Sequence, residues 1–244
     1  MIQANQVSKS FGNRKVLRNL DLALHEREVV ALVGLNGAGK TTLIRTLCGL
    51  NKPDSGNVTI DGTPLSNSGA SPRRKIGVVL HASMLYQNLT CHENLEFYSR
   101  LYDIPSTNER ISEMLDLMDL SPRAQDKVGT LSRGMQQRLS VARAMLHDPQ
   151  FLLFDEVFSG LDQRFLSKTI ELVQNNAAAG KGILFSTHDL DKIFLAATRV
   201  DILHKGQIAF SGFVNELTPQ TLLAKYDELT NGASLDQGLL GSAK

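Results

Sequence analysis

The sequence predicts an α/β protein with a mainly parallel core sheet, and three observations carry that prediction. Two short apolar runs, Val29–Val33 and Phe151–Phe154, have the unbroken hydrophobicity of strands buried on both faces. Apolar residues at helical spacing follow each of them: Leu43, Ile44, Leu47 and Leu50 after the first, Leu166, Ile170, Val173 and Ala177 after the second. A chain of 244 residues is long enough to bury one large core, and strands alternating with helices imply a parallel sheet covered on both sides.

In chain order, Leu20, Leu22 and Leu24 alternate with polar residues as in a half-buried strand. The run at 29–33 then enters Gly34-Leu35-Asn36-Gly37-Ala38-Gly39, so the local order is strand, glycine loop, helix. Two extended stretches, 58–60 and 76–80, are separated by Gly, Pro, Ser and Asn turn residues and together suggest a small antiparallel β lobe. Thr90 with Glu93 spells a capping box for a helix through Tyr102, and Ile111, Met114, Leu115 and Met118 form the apolar stripe of another. Residues from about 82 to 147 therefore read as a helical subdomain. After the strand at 151–154 and its helix, Gly180 is the stop signal, and Gly182–Ser186 and 200–203 supply further strands. The expected division is a domain over 1–220 and a C-terminal tail over 221–244, its last dozen residues a loose Gly- and Ser-rich segment.

Charge and composition exclude several function classes. Lys and Arg total 26 against 25 Asp and Glu, so no net field draws the chain to nucleic acid, and the Arg73-Arg74-Lys75 cluster is too short to track phosphates. Cys48 and Cys91 are too few for a disulfide framework and lack metal-ligand spacing. No apolar run approaches the roughly 18 residues needed to cross a bilayer, so any membrane role is expected to need a separate polypeptide.

The chemistry concentrates in two places. Gly34-Leu35-Asn36-Gly37-Ala38-Gly39-Lys40-Thr41, followed by Thr42, matches G-x-x-x-x-G-K-[ST] between a strand and a helix. Glycines let backbone N–H groups curl around a phosphate chain, the helix start adds partial positive charge, Lys40 reaches the β- and γ-phosphates, and the Thr41 hydroxyl is placed to ligate Mg²⁺. The second place is the end of the strand at 151–154, where Asp155 can hold Mg²⁺ through its hydration shell and Glu156 can polarise an attacking water. Together they indicate an NTPase that holds its nucleotide with Mg²⁺.

Three further segments select the type. Leu131-Ser132-Arg133-Gly134-Met135-Gln136-Gln137-Arg138 resembles the signature motif of ATP-binding cassette (ABC) proteins, Ser159-Gly160-Leu161-Asp162 resembles their D-loop, and Ser186-Thr187-His188-Asp189 their switch histidine. The resemblance runs from about residue 2 to 215, with the motifs in the family's order. Independently of it, Ser132 is a good N-cap and Leu139, Ala142 and Leu146 give the following helix an apolar face, so the motif presents a helix start suited to an anion. The resemblance implies a P-loop NTPase of the ABC type with ATP as its nucleotide, in which Ser132 and Gly134 meet the γ-phosphate held by a second copy of the chain. It also implies that Phe11 stacks on adenine, that His188 contacts the γ-phosphate and the attacking water, and that Asp162 couples the two sites. On their own, Phe11 reads as a core residue, His188 as a satisfied surface or core residue and Asp162 as a turn or cap residue; the order of the motifs favours the site for His188 and leaves Phe11 open.

The sequence departs from the family pattern at Arg133 and Met135 in the signature, at Val157 after Glu156, and at His81, where the family has Gln beside the metal and water. A neutral imidazole can still bond the Mg²⁺ shell, but it is shorter and titrates near neutrality. The function implied is the ATP-hydrolysing subunit of an ABC transporter, a head-to-tail dimer on the cytoplasmic face of the membrane that drives separate integral membrane subunits, with no nucleic-acid partner. Leu85, Tyr86 and Leu89 are the expected apolar contact for such a subunit, or else core. The spelling of the signature looks most like the haem-exporter (cytochrome c biogenesis) group. The alternative of another class is a non-transport ABC ATPase acting as a nucleotide-controlled interaction protein.

Overall fold

The computed structural model describes residues 1–65 and 72–230. Strands β1 (Ile2–Phe11), β2 (Arg14–Leu24) and β3 (Val29–Val33) precede helix α1 (Lys40–Leu47). Strands β4 (Ser55–Ile60), β5 (Thr63–Pro64) and β6 (Ile76–Val79) follow, then helices α2 (Cys91–Leu101), α3 (Thr107–Leu117) and α4 (Arg133–Met145). Strand β7 (Phe151–Phe154), helix α5 (Gln163–Ala178), strand β8 (Gly182–Ser186) and helix α6 (Leu190–Ala196) come next. Strands β9 (Arg199–His204) and β10 (Gln207–Phe213) and helix α7 (Pro219–Thr230) complete the described chain.

The strands form two sheets, an antiparallel one in the order β2-β1-β4-β5 and a six-stranded one in the order β10-β9-β3-β8-β7-β6. In the larger sheet every pairing is parallel except that of β9 with β10. Strand alternation divides the core in two: Val29, Ala31 and Val33 face one cluster of buried side chains, with those of α2 to α7, while Val30 and Leu32 face the other, with α1 and the antiparallel sheet. This is the α/β architecture expected, with a mainly parallel core sheet, a small β lobe and a helical subdomain.

Three features differ from the sequence reading. The stretch at 76–80 does not belong to the β lobe: β6 lies parallel to β7, Ile76 opposite Phe151 and Val79 opposite Phe154, at the edge of the main sheet. Its partner lies far along the chain, where local turn residues carry no information. Strand β1 escaped notice because register shifts between Ala4 and Lys9, with Gln6 at φ 49°, break the two-residue alternation. Helix α1 stops at Leu47 and leaves Leu50 exposed.

The local signals act as read. The Thr90 capping box is formed in both directions, Gly180 follows the end of α5 at φ 107°, and Ile111, Met114 and Leu115 are buried on α3. Helix α7 runs across residue 220 and buries Leu222 and Tyr226 in the larger core, so the expected division falls inside a helix. The expected loose last dozen residues lie outside the described residues. Among the described residues no helix is long and apolar enough to cross a membrane.

Candidate active site

The glycine loop leaves the sheet where β3 is buried along its whole length. A side chain at Gly34 would collide with the Leu203 carbonyl oxygen of β9, so only glycine lets the loop turn this close to the sheet. Gly39 is the N-cap of α1 at φ 115°; no side chain caps the helix and its first turn carries no acid. The helix start therefore keeps its free N–H groups and partial positive charge available to an anion.

Lys40 is nearly buried, and its Nζ donates to the carbonyl oxygens of Gly34 (2.7 Å) and Leu35 (3.3 Å). Burial holds its ammonium below the ordinary lysine range, while the carboxylates of Glu156 and Asp155 oppose that shift. Both carboxylates are thus within electrostatic reach of Lys40.

Strand β7 delivers them. The backbone N–H of Asp155 continues the ladder to Val79 O at 2.8 Å, and Asp155 is 2% exposed. Its Oδ1 accepts a 2.8 Å bond from Ser186 Oγ, while Oδ2 is buried with no hydrogen-bond partner. Glu156 turns out of the strand in the left-handed conformation, φ 54°, which costs a non-glycine residue about 1 kcal/mol, and its N–H donates to the same Ser186 Oγ at 2.9 Å.

Two cavities meet at Glu156. The larger, about 340 Å³, is lined by the sequence-predicted Phe11, Asn36, Gly37, Gly39, Lys40, Thr41 and Thr42, together with Arg14, Val16 and Glu156. The smaller, about 230 Å³, brings His81, Gly134, Asp155 and Glu156 together with Arg133. Phe11 is half exposed at the mouth of the first, as a stacking residue would be. Ala38 faces an adjoining cavity lined by Arg14, Lys15, Arg18 and Lys205.

Besides Gly34 and Ala38, three predicted residues stay outside both cavities. Ser132 caps α4 by accepting from the Met135 N–H at 3.3 Å, and it is exposed. Asp162 caps α5 through the Phe165 N–H at 2.9 Å and pairs with Arg138 at 3.4 Å. His188 is exposed on the segment between β8 and α6.

Ser186, which no motif assigns a role of its own, ends a buried strand beside the acidic one, and that position is a usable signal. Arg14, whose Nη2 reaches Gly37 O at 3.4 Å, left no signal at all.

The residues present fit a magnesium ion. Among the described residues there is no group of three or more His, Cys, Asp or Glu that could hold a metal by themselves. What exists is a buried carboxylate oxygen without a partner at Asp155 and a hydroxyl at Thr41. A hard, hydrated cation completed by substrate phosphates suits that sparse oxygen set.

The profile of the ABC transporter family matches residues 17–159. The linearmycin resistance ATP-binding protein LnrL of Bacillus subtilis is 32% identical over 219 residues, 89% of this chain and 70% of LnrL. The ABC transporter ATP-binding protein NatA of the same organism is 33% identical, covering 89% of this chain and 91% of NatA. A dimeric, post-hydrolysis ATP-binding cassette bound to ADP and Pi superposes with a TM-score of 0.80 at 28% identity, over 88% of this chain and 99% of that one.

Proposed function

This chain belongs to the ABC transporter family, and from that premise we propose that it is the ATP-binding, ATP-hydrolysing subunit of a transporter, with Glu156 as the residue that activates water. The observation that carries the proposal is the placement of Glu156 at the junction of the two cavities, beside the partnerless buried Oδ2 of Asp155.

In this reading the loop amides and Lys40 hold the phosphate chain, and Lys40 exchanges its carbonyl partners at Gly34 and Leu35 for phosphate oxygens. Phe11, at the cavity mouth, stacks on the base. Thr41 and Asp155, with His81 nearby, hold Mg²⁺, which supplies charge neutralisation at the phosphates. The Glu156 carboxylate accepts a hydrogen bond from the attacking water and takes up its proton as the bond to the γ-phosphorus forms and the bond to the β,γ-bridging oxygen breaks.

The exposed Ser132, at the start of α4, fits a role that needs a second copy. With Gly134 it meets the phosphates of the partner's nucleotide in a head-to-tail dimer, where His188 and Asp162 complete the two sites. The similar cassette solved as a dimer with ADP and Pi supports that arrangement.

Transport requires membrane subunits, for which the helical subdomain offers an apolar face. Tyr86 and Phe97 are exposed and meet edge to face at 5.0 Å, with Met84 and Leu101 also exposed. Leu85, expected as a possible contact, is buried in the core, while Tyr86 remains available. Docking there places the subunit on the cytoplasmic face of the membrane without a span of its own.

The direct test is phosphate release from Mg-ATP by the purified chain and by Glu156→Gln. The expected result is a loss of at least about 100-fold in kcat with ATP binding retained; equal turnover in the two proteins refutes the assignment.

A further inference from the structure

Strand β6 is the edge of the main sheet, so the carbonyls on its free side have no strand to pair with. Two side chains from α4 and its end take that place. Arg143 Nη2 donates to Val78 O at 2.5 Å, and His147 Nε2 lies 3.1 Å from Ile76 O.

The spacings match: residues four apart near the end of a helix advance about 6 Å, and residues two apart on a strand advance about 6.6 Å. Gly77 sits between the two bonded carbonyls, where any side chain would collide with the Ala144 carbonyl oxygen, so glycine lets the helix approach this closely. The Tyr102 ring stacks on His147 at 3.9 Å and 5°.

Arg143 also reaches the far side of His81. Its guanidinium lies 5.2 Å from the centre of the Tyr98 ring, its Nη1 is 3.9 Å from Met84 Sδ, and Tyr98 Oη donates to Met84 O at 2.6 Å. One side chain therefore touches the chain both before and after His81, at Val78 and at Met84. It also belongs to the helix whose start, at Arg133 and Gly134, lines the same small cavity as His81, Asp155 and Glu156.

Arg143 is 6% exposed, and no carboxylate pairs with it among the described residues. A cation kept in that position is an expensive way to fill space, since an apolar residue of similar volume packs as well or better.

We infer that Arg143 is a positioning residue for hydrolysis: it clamps the segment carrying His81 against α4, so that His81 keeps a fixed relation to Glu156. The inference rests on the ATPase reading above.

The test is a double-mutant cycle on the full chain, with kcat, KM and the Kd for ATP measured for Arg143→Met, Arg143→Lys, His81→Ala and the double variants. Arg143→Met is expected to lower kcat about tenfold to a hundredfold, the scale of a small misplacement of a catalytic group, with the ATP Kd within about twofold because the glycine loop is untouched. Arg143→Lys, which still donates to Val78 O, regains part of the loss. In the His81→Ala background, Arg143→Met adds no further loss, because both changes act through the same side chain.

Losses that multiply overturn the proposal, as does a His81→Ala protein that turns over like the wild type. Should Arg143→Met fail to fold, the cycle is run with Arg143→Lys, whose smaller loss must also vanish in the His81→Ala background. Turnover in the wild type, abolished by Glu156→Gln, together with a multiplicative cycle sinks this inference alone. A wild-type protein without turnover sinks the ATPase reading and this one with it.

Discussion

Ser186 holds Asp155 in place from the neighbouring strand: its hydroxyl donates to Asp155 Oδ1 at 2.8 Å and, through its lone pair, accepts the N–H of Glu156 at 2.9 Å. One hydroxyl thus orients the Asp155 carboxylate and the backbone that carries Glu156. Ser186→Ala removes both bonds and leaves Asp155 Oδ1 without this donor. The expected result is a fall in kcat of about 10- to 100-fold, typical of losing a group that supports a metal ligand, with ATP affinity in the absence of Mg²⁺ unchanged. Unaltered kcat would mean that the strand end is held by its ladder bonds alone.

Lys40 is satisfied without ligand by the Gly34 and Leu35 carbonyls, so Lys40→Met should fold while losing its hold on phosphate. Saturating ATP at about 100 times Kd stabilises a binding-competent protein by about 2.7 kcal/mol, a rise in Tm of roughly 5–10 °C for a chain of this size. Thermal melts should show that rise in the wild type and none in Lys40→Met. A similar rise in both would mean that Lys40 does not contact the nucleotide.

Gly77→Ala tests the close approach of α4 to β6. The added methyl meets the Ala144 carbonyl, with Leu152 and Pro149 close behind, and none of the three is the end of a long flexible side chain. A destabilisation of about 2–3 kcal/mol is expected in urea unfolding, with the slope unchanged. A loss below about 0.5 kcal/mol would show that the helix can shift away freely.

Acid stability should depend on His147. Burial pushes its imidazole down to about 4, opposed by its bond to the Ile76 carbonyl and reinforced by the positive charges of Arg143 and Lys181, with Asp148 acting the other way. The folded-state value lies below the roughly 6.5 of an unfolded chain, so the unfolded state binds more protons between these limits. The contribution is complete above about pH 6.5 and is lost as the pH falls towards 4. His147→Gln keeps a donor for Ile76 O and does not titrate. Between pH 7 and pH 5 it should lose less stability than the wild type, by on the order of 1–2 kcal/mol; parallel losses in urea unfolding would show that His147 does not titrate in that interval.

Much of the site was legible because its signals are local. The glycine loop, the Asp155-Glu156 pair after a buried strand, the Thr90 capping box and the Ser132 cap each depend on residues close to one another along the chain. The convergence of Asn36, Lys40, Thr41 and Glu156 on one cavity followed from those signals plus the alternation of strand and helix. His81 joined Asp155 and Glu156 because β6 turned out to be the neighbour of β7, which the turn residues around it had concealed.

The amino-acid sequence by itself determined the motifs, their order and the local structure that presents them, since backbone conformation and capping are decided by nearest neighbours along the chain. Only the tertiary structure decided that Ser186 serves both acids, that Asp155 Oδ2 is left without a partner, and that Arg143 spans the chain on either side of His81. Those relations join residues from separate strands and helices, and they exist only once the sheet has set its strand order and the core has excluded water; no periodicity in a linear sequence encodes which buried polar atom will find a partner across the fold.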